Sequence, residues 1–163
     1  MLSVLLLGAA LAAADAPAPQ FTLATCDDPV ARDRLLNADP EDLPALATVK
    51  ARSTANEARM SQLMDRLAER AKLTPEQKAE VAMGMLEAPE FKTAFEEGMA
   101  LVGQMMDDVQ AVLSSKDKLK NCRTLVHMMS LVPAVDANAS RQWEAMRRVV
   151  EAEAARRGVS LAD

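Results

Sequence analysis

The chain has 163 residues, of which 50% are apolar and 26% are charged, and its formal net charge is −5. The apolar residues are mostly helix formers, with 11 methionines against three phenylalanines, one tryptophan and no tyrosine. The sequence has neither a basic block nor an aromatic platform, so we do not expect nucleic-acid binding. It also lacks strand-like runs and Asn-Gly or Asp-Gly hairpin turns, which predicts an all-α fold.

The apolar run at the start of the chain is typical of a signal peptide. At about 13 apolar residues it is too short to span a bilayer, and the small residues Ala12, Ala13 and Ala14 follow it as a signal peptidase requires. We therefore predict a signal peptide over 1–14, a flexible leader over 15–25 and a single all-helical domain over 26–163. A short buried N-terminal helix is the alternative. The predicted location is exported, with the periplasm favoured over the cell surface or medium, and we expect no transmembrane segment in the mature chain.

Cys26 and Cys122 are the only cysteines of the chain. In an oxidising compartment they are predicted to form a disulfide, with two buried free thiols as the alternative. The bridge would close a loop of about 97 residues and stabilise the fold by up to about 4.7 kcal/mol. Lipidation of Cys26 is not expected, because Thr25 is large for that position and a polar, Pro-containing stretch precedes it. The sequence contains no CxxC motif, so thiol-exchange catalysis is not expected.

Caps and breakers predict an irregular bundle of about five to six helices. A first helix, capped by Asp27 or Asp28, ends at Leu36. Four further helices are predicted over 40–73, 75–87, 89–113 and, after a break at Pro133, over 138–157 with Gly158 as the stop. One more helix is predicted between those over 89–113 and 138–157. It begins after a cap at Ser114 or Ser115 and is interrupted at Pro133. The helix over 40–73 is long enough to be one arm of a long antiparallel helical hairpin. Gly98 and Gly103 cost the helix over 89–113 about 1 kcal/mol each, which suggests close helix contact.

Methionine and histidine are the candidate binding residues. Met60 and Met64 share a helix face, and Met105 and Met106 are adjacent, so these four are candidates for an adaptable protein-binding surface. Methionine as a filler of an aromatic-poor core is the alternative. His127 and Met128 could supply ligands for Cu(I), but adjacent helical residues diverge by about 100°, so we predict no metal site. No cofactor is expected.

Catalytic constellations are missing from the sequence. The sequence contains no nucleophile elbow, phosphate loop or HExxH motif, and the pairs Glu96-Glu97 and Asp107-Asp108 diverge on their helices. One histidine, His127, is the sole candidate general base, with Arg123 on the same helix face. We therefore predict a non-catalytic exported protein that acts by contact with another protein.

A short segment resembles a known motif. Residues Leu73-Thr74-Pro75-Glu76-Gln77 are similar to the LTxxQ motif of the small periplasmic helical proteins of the Spy and CpxP type. That family usually carries the motif twice, whereas this chain carries it once. The resemblance implies an exported, hairpin-built, usually dimeric helical protein with a chaperone-like or metal-stress function. This is the alternative function, and the Met-rich faces would serve it. The same five residues also form a helix capping box by pattern.

Overall fold

The computed structural model describes residues 21–39 and 43–162 of the chain. Every regular element in those ranges is a helix, which confirms the all-α prediction. The helices are α1 (Leu23–Asp27), α2 (Pro29–Leu36), α3 (Pro44–Ala71), α4 (Pro75–Glu87), α5 (Pro89–Ser114) and α6 (Lys118–Arg156). The predicted signal peptide over 1–14 and residues 15–20 of the predicted leader lie outside the described ranges, whereas α1 begins within the leader prediction. None of the described helices combines the length and apolarity that crossing a membrane requires.

The sharpest helix start predicted from sequence is the one at Thr74. Thr74 Oγ1 accepts a hydrogen bond from the Gln77 amide at 3.3 Å, and Gln77 Oε1 accepts one from the Thr74 amide at 3.0 Å. The predicted capping box is therefore confirmed. Asp28, one of two candidates, caps α2 by accepting from the amides of Val30 and Ala31. Gly158 follows the C-cap residue of α6, Arg157, and adopts a positive φ of 69°, as a helix stop requires.

Helix α3 begins later than the predicted start at Pro40. Its N-cap is Leu43, which has an extended backbone with ψ of 110°. The cause is Pro44, because a proline disfavours helical geometry in the residue before it. Residues 40–42 lie outside the described part of the chain.

The predicted break at Pro133 is wrong, because α6 runs without interruption from Lys118 to Arg156. A proline inside a helix costs about 3 kcal/mol, so other contacts must outweigh it. Pro133 itself is exposed, while Val132 and Asn138 on either side of it are buried on the packed face of the same helix. Tertiary packing on both sides of the proline therefore holds the two predicted helices together as one. The N-cap of α6 is Asp117, not Ser114 or Ser115.

Helix α6 is the centre of the bundle and packs against each of the five other helices. The antiparallel hairpin joins α5 to α6: Ala94 of α5 contacts Asn138 of α6, and Asp108 further along α5 contacts His127 earlier in α6. Helix α3, the predicted hairpin arm, instead runs parallel to α6 and contacts it near both of its ends.

Two hydrophobic cores form at the two ends of α6. The disulfide-end core lies around the start of α6 and consists of Cys26, Leu35, Leu43, Cys122, Val126, Met129 and Val132. The far-end core lies around the end of α6 and consists of Met64, Leu67, Val81, Met85, Val150 and Ala154. Arg70 fastens the C-terminal segment to α3 at the far end by donating to the carbonyl oxygens of Ser160 and Ala162 at 2.6 and 2.7 Å.

Between the two cores, α5 and α6 meet through a buried polar contact. Asn138 is 2% exposed, and its amide nitrogen donates to the Ala94 carbonyl oxygen at 2.7 Å. Gln142 donates to the same carbonyl at 3.3 Å and to Asn138 Oδ1 at 2.7 Å. A Cβ on Gly98 would lie 2.6 Å from Asn138 Oδ1. Glycine at this position therefore permits the close approach of the two helices, as the sequence suggested.

Candidate functional site

The predicted disulfide between Cys26 and Cys122 is confirmed. Both residues are fully buried in the disulfide-end core, and their Cα atoms are 5.6 Å apart. The bridge joins α1 to the start of α6. Both cysteines therefore serve a structural role, and the described residues contain no free thiol.

His127 lies in an open, charged cleft between the end of α5 and the start of α6. Its Nδ1 is 2.8 Å from Asp108 Oδ2, and 59% of its side chain is exposed. Lys120, Arg123 and Asp117 also line this cleft of about 380 Å³. Because most of the His127 side chain is exposed, this contact lacks the burial that tunes a catalytic base.

The described part of the chain supplies no cluster of further metal ligands for His127 and Met128. Met128 is half-buried, whereas His127 faces solvent. Within the described ranges, no group of three or more His, Cys, Asp or Glu side chains could hold a metal ion.

The four candidate methionines occupy different environments. Met64 is 6% exposed and belongs to the far-end core, and Met60 packs half-buried against that core. Met64 therefore does not lie on a binding surface, because the far-end core covers it. Met105 is half-buried, and Met106 is 53% exposed. Of the four, Met106 is the one whose side chain is mostly exposed.

The spacing of apolar residues predicts a single stripe on α5, whereas the helix carries two apolar seams. The predicted stripe consists of Phe91, Phe95, Val102, Met105 or Met106, Val109 and Val112. The inner seam follows a four-three spacing and faces α6. Its members are Ala94, Gly98, Leu101, Met105, Asp108 and Val112. Ala94 is 3% exposed, Gly98 lies against Asn138, and Asp108 contacts His127, so this seam is occupied.

The outer seam is displaced from the inner seam by one residue and follows the same spacing. Its members are Phe95, Met99, Val102, Met106, Val109 and Leu113. Phe95, Met99, Val102 and Met106 are 45–54% exposed, Leu113 is 80% exposed, and Val109 is half-buried. No helix in the described ranges covers these side chains. A contiguous exposed apolar face is unusual in a monomer and marks an interaction site.

Gly103 lies on α5 beside the outer seam. Unlike Gly98, it has no atom within 4 Å of the position that a Cβ would take. A glycine in the middle of a helix costs about 1 kcal/mol, and here no described neighbour requires it. Among the described residues, the predicted close contact is therefore found at Gly98 and not at Gly103.

The sequence contains a signal for the outer seam that the single-stripe interpretation missed. Two series of mostly apolar or small residues, each at four-three spacing and offset by one position, cannot both face the same neighbouring helix. The second series predicts a second helical partner for α5. Phe95 and Val102 belong to the predicted single stripe, but about half of each is exposed.

Comparisons with protein-family models, curated proteins and solved structures give no match for this chain. The candidate site therefore stands on its own geometry: an exposed apolar face on α5, about 27 Å long for 19 residues.

Proposed function

We propose that this protein is exported, has no catalytic activity, and acts by protein contact through the outer seam of α5. The observation that carries this proposal is the exposure of Phe95, Met99, Val102 and Met106 along one continuous helix face. Removing such side chains from water provides about 25 cal/mol per Å² of buried apolar surface, which is enough to drive association.

Two further features support the export part of the proposal. The Cys26–Cys122 disulfide is the kind of bond that persists in oxidising compartments such as the periplasm. The apolar run over 1–14 has the length and small-residue ending of a signal peptide.

A photoreactive side chain placed in the seam tests the contact. The chain is produced with the photoreactive residue at position 102, in the seam, or at position 104, which is exposed on the opposite side of α5. After illumination in the native compartment, we expect a covalent protein adduct from position 102 and none from position 104. Equal adduct yields from both positions, or none from position 102, would contradict the proposal.

A chaperone-like function is the second candidate, and the methionines of the seam favour it. Met99 and Met106 are both more than half exposed, and flexible thioether side chains repack around varied partners. We expect such a protein to suppress aggregation of a model client at substoichiometric ratio, and Met99→Glu to abolish that effect. Absence of suppression at molar excess would exclude this candidate.

A further inference from the structure

We propose that the partner of the outer seam is a second copy of this chain, and that the two α5 helices pair antiparallel about a two-fold axis close to Gly103. This inference rests on the proposed function, because it names the partner of the same surface.

The period of the seam selects a helix as its partner. Alternating spacings of four and three give an average of 3.5 residues, which is the repeat by which two helices keep their apolar seams in contact. Six positions from Phe95 to Leu113 follow this repeat without a break. The inner seam of α5, which has the same spacing, already packs against the helix α6.

The order of side-chain sizes along the seam makes it self-complementary in the antiparallel direction. With the axis between Val102 and Met106, Val102 lies opposite Met106 of the partner subunit. Met99 then lies opposite Val109, and Phe95 opposite Leu113, of the partner subunit. A larger side chain meets a smaller one near the axis, as interdigitating cores require. Parallel pairing would put each residue opposite its own copy, with Met99 on Met99 and Val102 on Val102.

Gly103 and the flanking polar residues fit the same arrangement. In antiparallel pairing the Gly103 residues of the two copies lie beside the axis, where the absence of side chains allows the backbones to approach. Glu96 lies near Gln110 of the partner subunit, so that a carboxylate can accept from an amide. Residues 98–106 contain no charge, and like charges therefore do not oppose each other at the centre of the pair.

The area of the seam matches that of a small dimer interface. Five side chains that are each 45–80% exposed present on the order of 500 Å² per copy, which is a large patch for a monomer. A symmetrical pair would then bury about 1,000 Å², the size at which specific interfaces begin. We therefore expect a reversible dimer rather than a permanent one.

Sedimentation equilibrium of the exported protein with its disulfide intact measures the pairing. We expect a reversible dimer for the unaltered chain and at least ten-fold weaker pairing for Met99→Glu combined with Met106→Glu. The matched control is Gln104→Glu, which adds a carboxylate to the exposed opposite side of α5 and should change the dissociation constant less than two-fold. Circular dichroism checks that all variants keep their helices. A monomer at about 200 μM, or equal pairing of the seam variant and the control, would overturn the proposal.

A second variant tests the pairing of the two chains without disturbing the fold of the protomer. Gly103→Leu has open space around it in the single chain, so the protomer remains folded, but pairing should weaken at least ten-fold. Orientation is tested with a short bismaleimide: a mixture of Phe95→Cys and Leu113→Cys chains should cross-link, whereas Phe95→Cys alone should not. Preferential self-cross-linking of Phe95→Cys would overturn the antiparallel arrangement.

The photoreactive residue at position 102 separates this inference from the proposed function. An adduct of twice the chain mass supports both. An adduct of another mass, from a chain that sediments as a monomer, overturns self-pairing and leaves protein contact in place. No adduct overturns both.

Discussion

The two ends of α6 are closed in different ways. At the disulfide end, α1 and α2 have five and eight residues, lengths at which isolated helices are not stable. A covalent bond from Cys26 to Cys122 holds them to α6. At the far end, α3 has 28 residues, and α4 has a proline and a capping box in its first turn. Burial of apolar side chains such as Leu67 and Val150 closes that end without a cross-link.

This difference shows how one long helix can anchor both short and long elements. Helices as short as α1 and α2 bury little apolar surface. The disulfide compensates for this, because it restricts the conformations of the unfolded chain. The longer α3 and α4 bring enough apolar surface to need no restriction. The two ends should therefore respond differently to substitution, and four experiments test that expectation.

Removal of the bridge should have the largest effect and should act first at the disulfide end. Cys26→Ala combined with Cys122→Ala is expected to lower the free energy of unfolding by about 2–5 kcal/mol in urea titrations. Hydrogen exchange of the variant should show loss of protection in α1 and α2, with the amides around Leu67 and Val150 exchanging last. If both ends lose protection together, the two cores form one cooperative unit and the comparison does not hold.

Truncation of Leu67 should produce the opposite pattern. Leu67 has no exposed surface, so Leu67→Ala leaves a cavity in the far-end core and should cost about 2–5 kcal/mol. Protection should be lost first in α4, while α1 and α2 remain held by the bridge. Val30→Ala is the control, because Val30 is 80% exposed and its truncation should change stability by less than about 0.5 kcal/mol. An effect of Leu67→Ala no larger than that of the control would contradict the assignment of this core.

The sequence predicted the elements whose boundaries depend on local chemistry. The Thr74 capping box, the stop at Gly158 and the disulfide all follow from residues close in sequence or from the count of cysteines. The continuity of α6 through Pro133 could not be predicted in this way, because the local cost of proline is offset by burial of Val132 and Asn138. That burial depends on contacts with α3 and α5, which are distant in sequence.

The candidate surface was predicted only in part for a similar reason. Hydrophobic spacing shows which residues share a helix face, but not whether another element covers that face. Met64 and Met106 look equivalent in sequence, and the far-end core covers one of them and not the other. The two glycines of α5 also look equivalent, although Asn138 lies against only Gly98.

Substitution of these two glycines should shift stability in opposite directions. The pair of variants therefore tests how closely α5 packs on the middle of α6. Gly98→Ala brings a Cβ within 2.6 Å of Asn138 Oδ1, and should cost about 1–3 kcal/mol. Gly103→Ala meets no neighbour and should stabilise the helix by up to about 1 kcal/mol, when measured at concentrations below those of self-association.

The control for this pair is a double substitution. Adding Asn138→Ala to Gly98→Ala removes the atom nearest to the new Cβ, so the effects of the two substitutions should not add. Stabilisation by both Gly98→Ala and Gly103→Ala would show that helix propensity, and not packing, decides both.

The smallest effect on stability should come from substitution of Glu153, a carboxylate in the last turn of α6. Glu153 accepts hydrogen bonds from Arg156 at 2.6 Å and from Arg157 at 2.5 Å, and these bonds lower the pKa of Glu153 from 4.5 to about 2. Because the folded pKa lies below the unfolded value, the stabilisation is present above pH 4.5 and is lost as the pH falls towards 2.

Glu153→Gln should therefore be less stable than the unaltered chain at pH 7 by about 1 kcal/mol or less, since Arg156 is largely exposed. The difference should narrow between pH 4.5 and pH 2, as measured by urea unfolding at each pH. Glu151→Gln is the matched control, because Glu151 pairs with Arg147 one turn earlier, outside the far-end closure. A stability difference between Glu153→Gln and the unaltered chain that stays constant with pH would show that the substitution removes packing and not a charged interaction. The far end would then be closed by apolar burial alone.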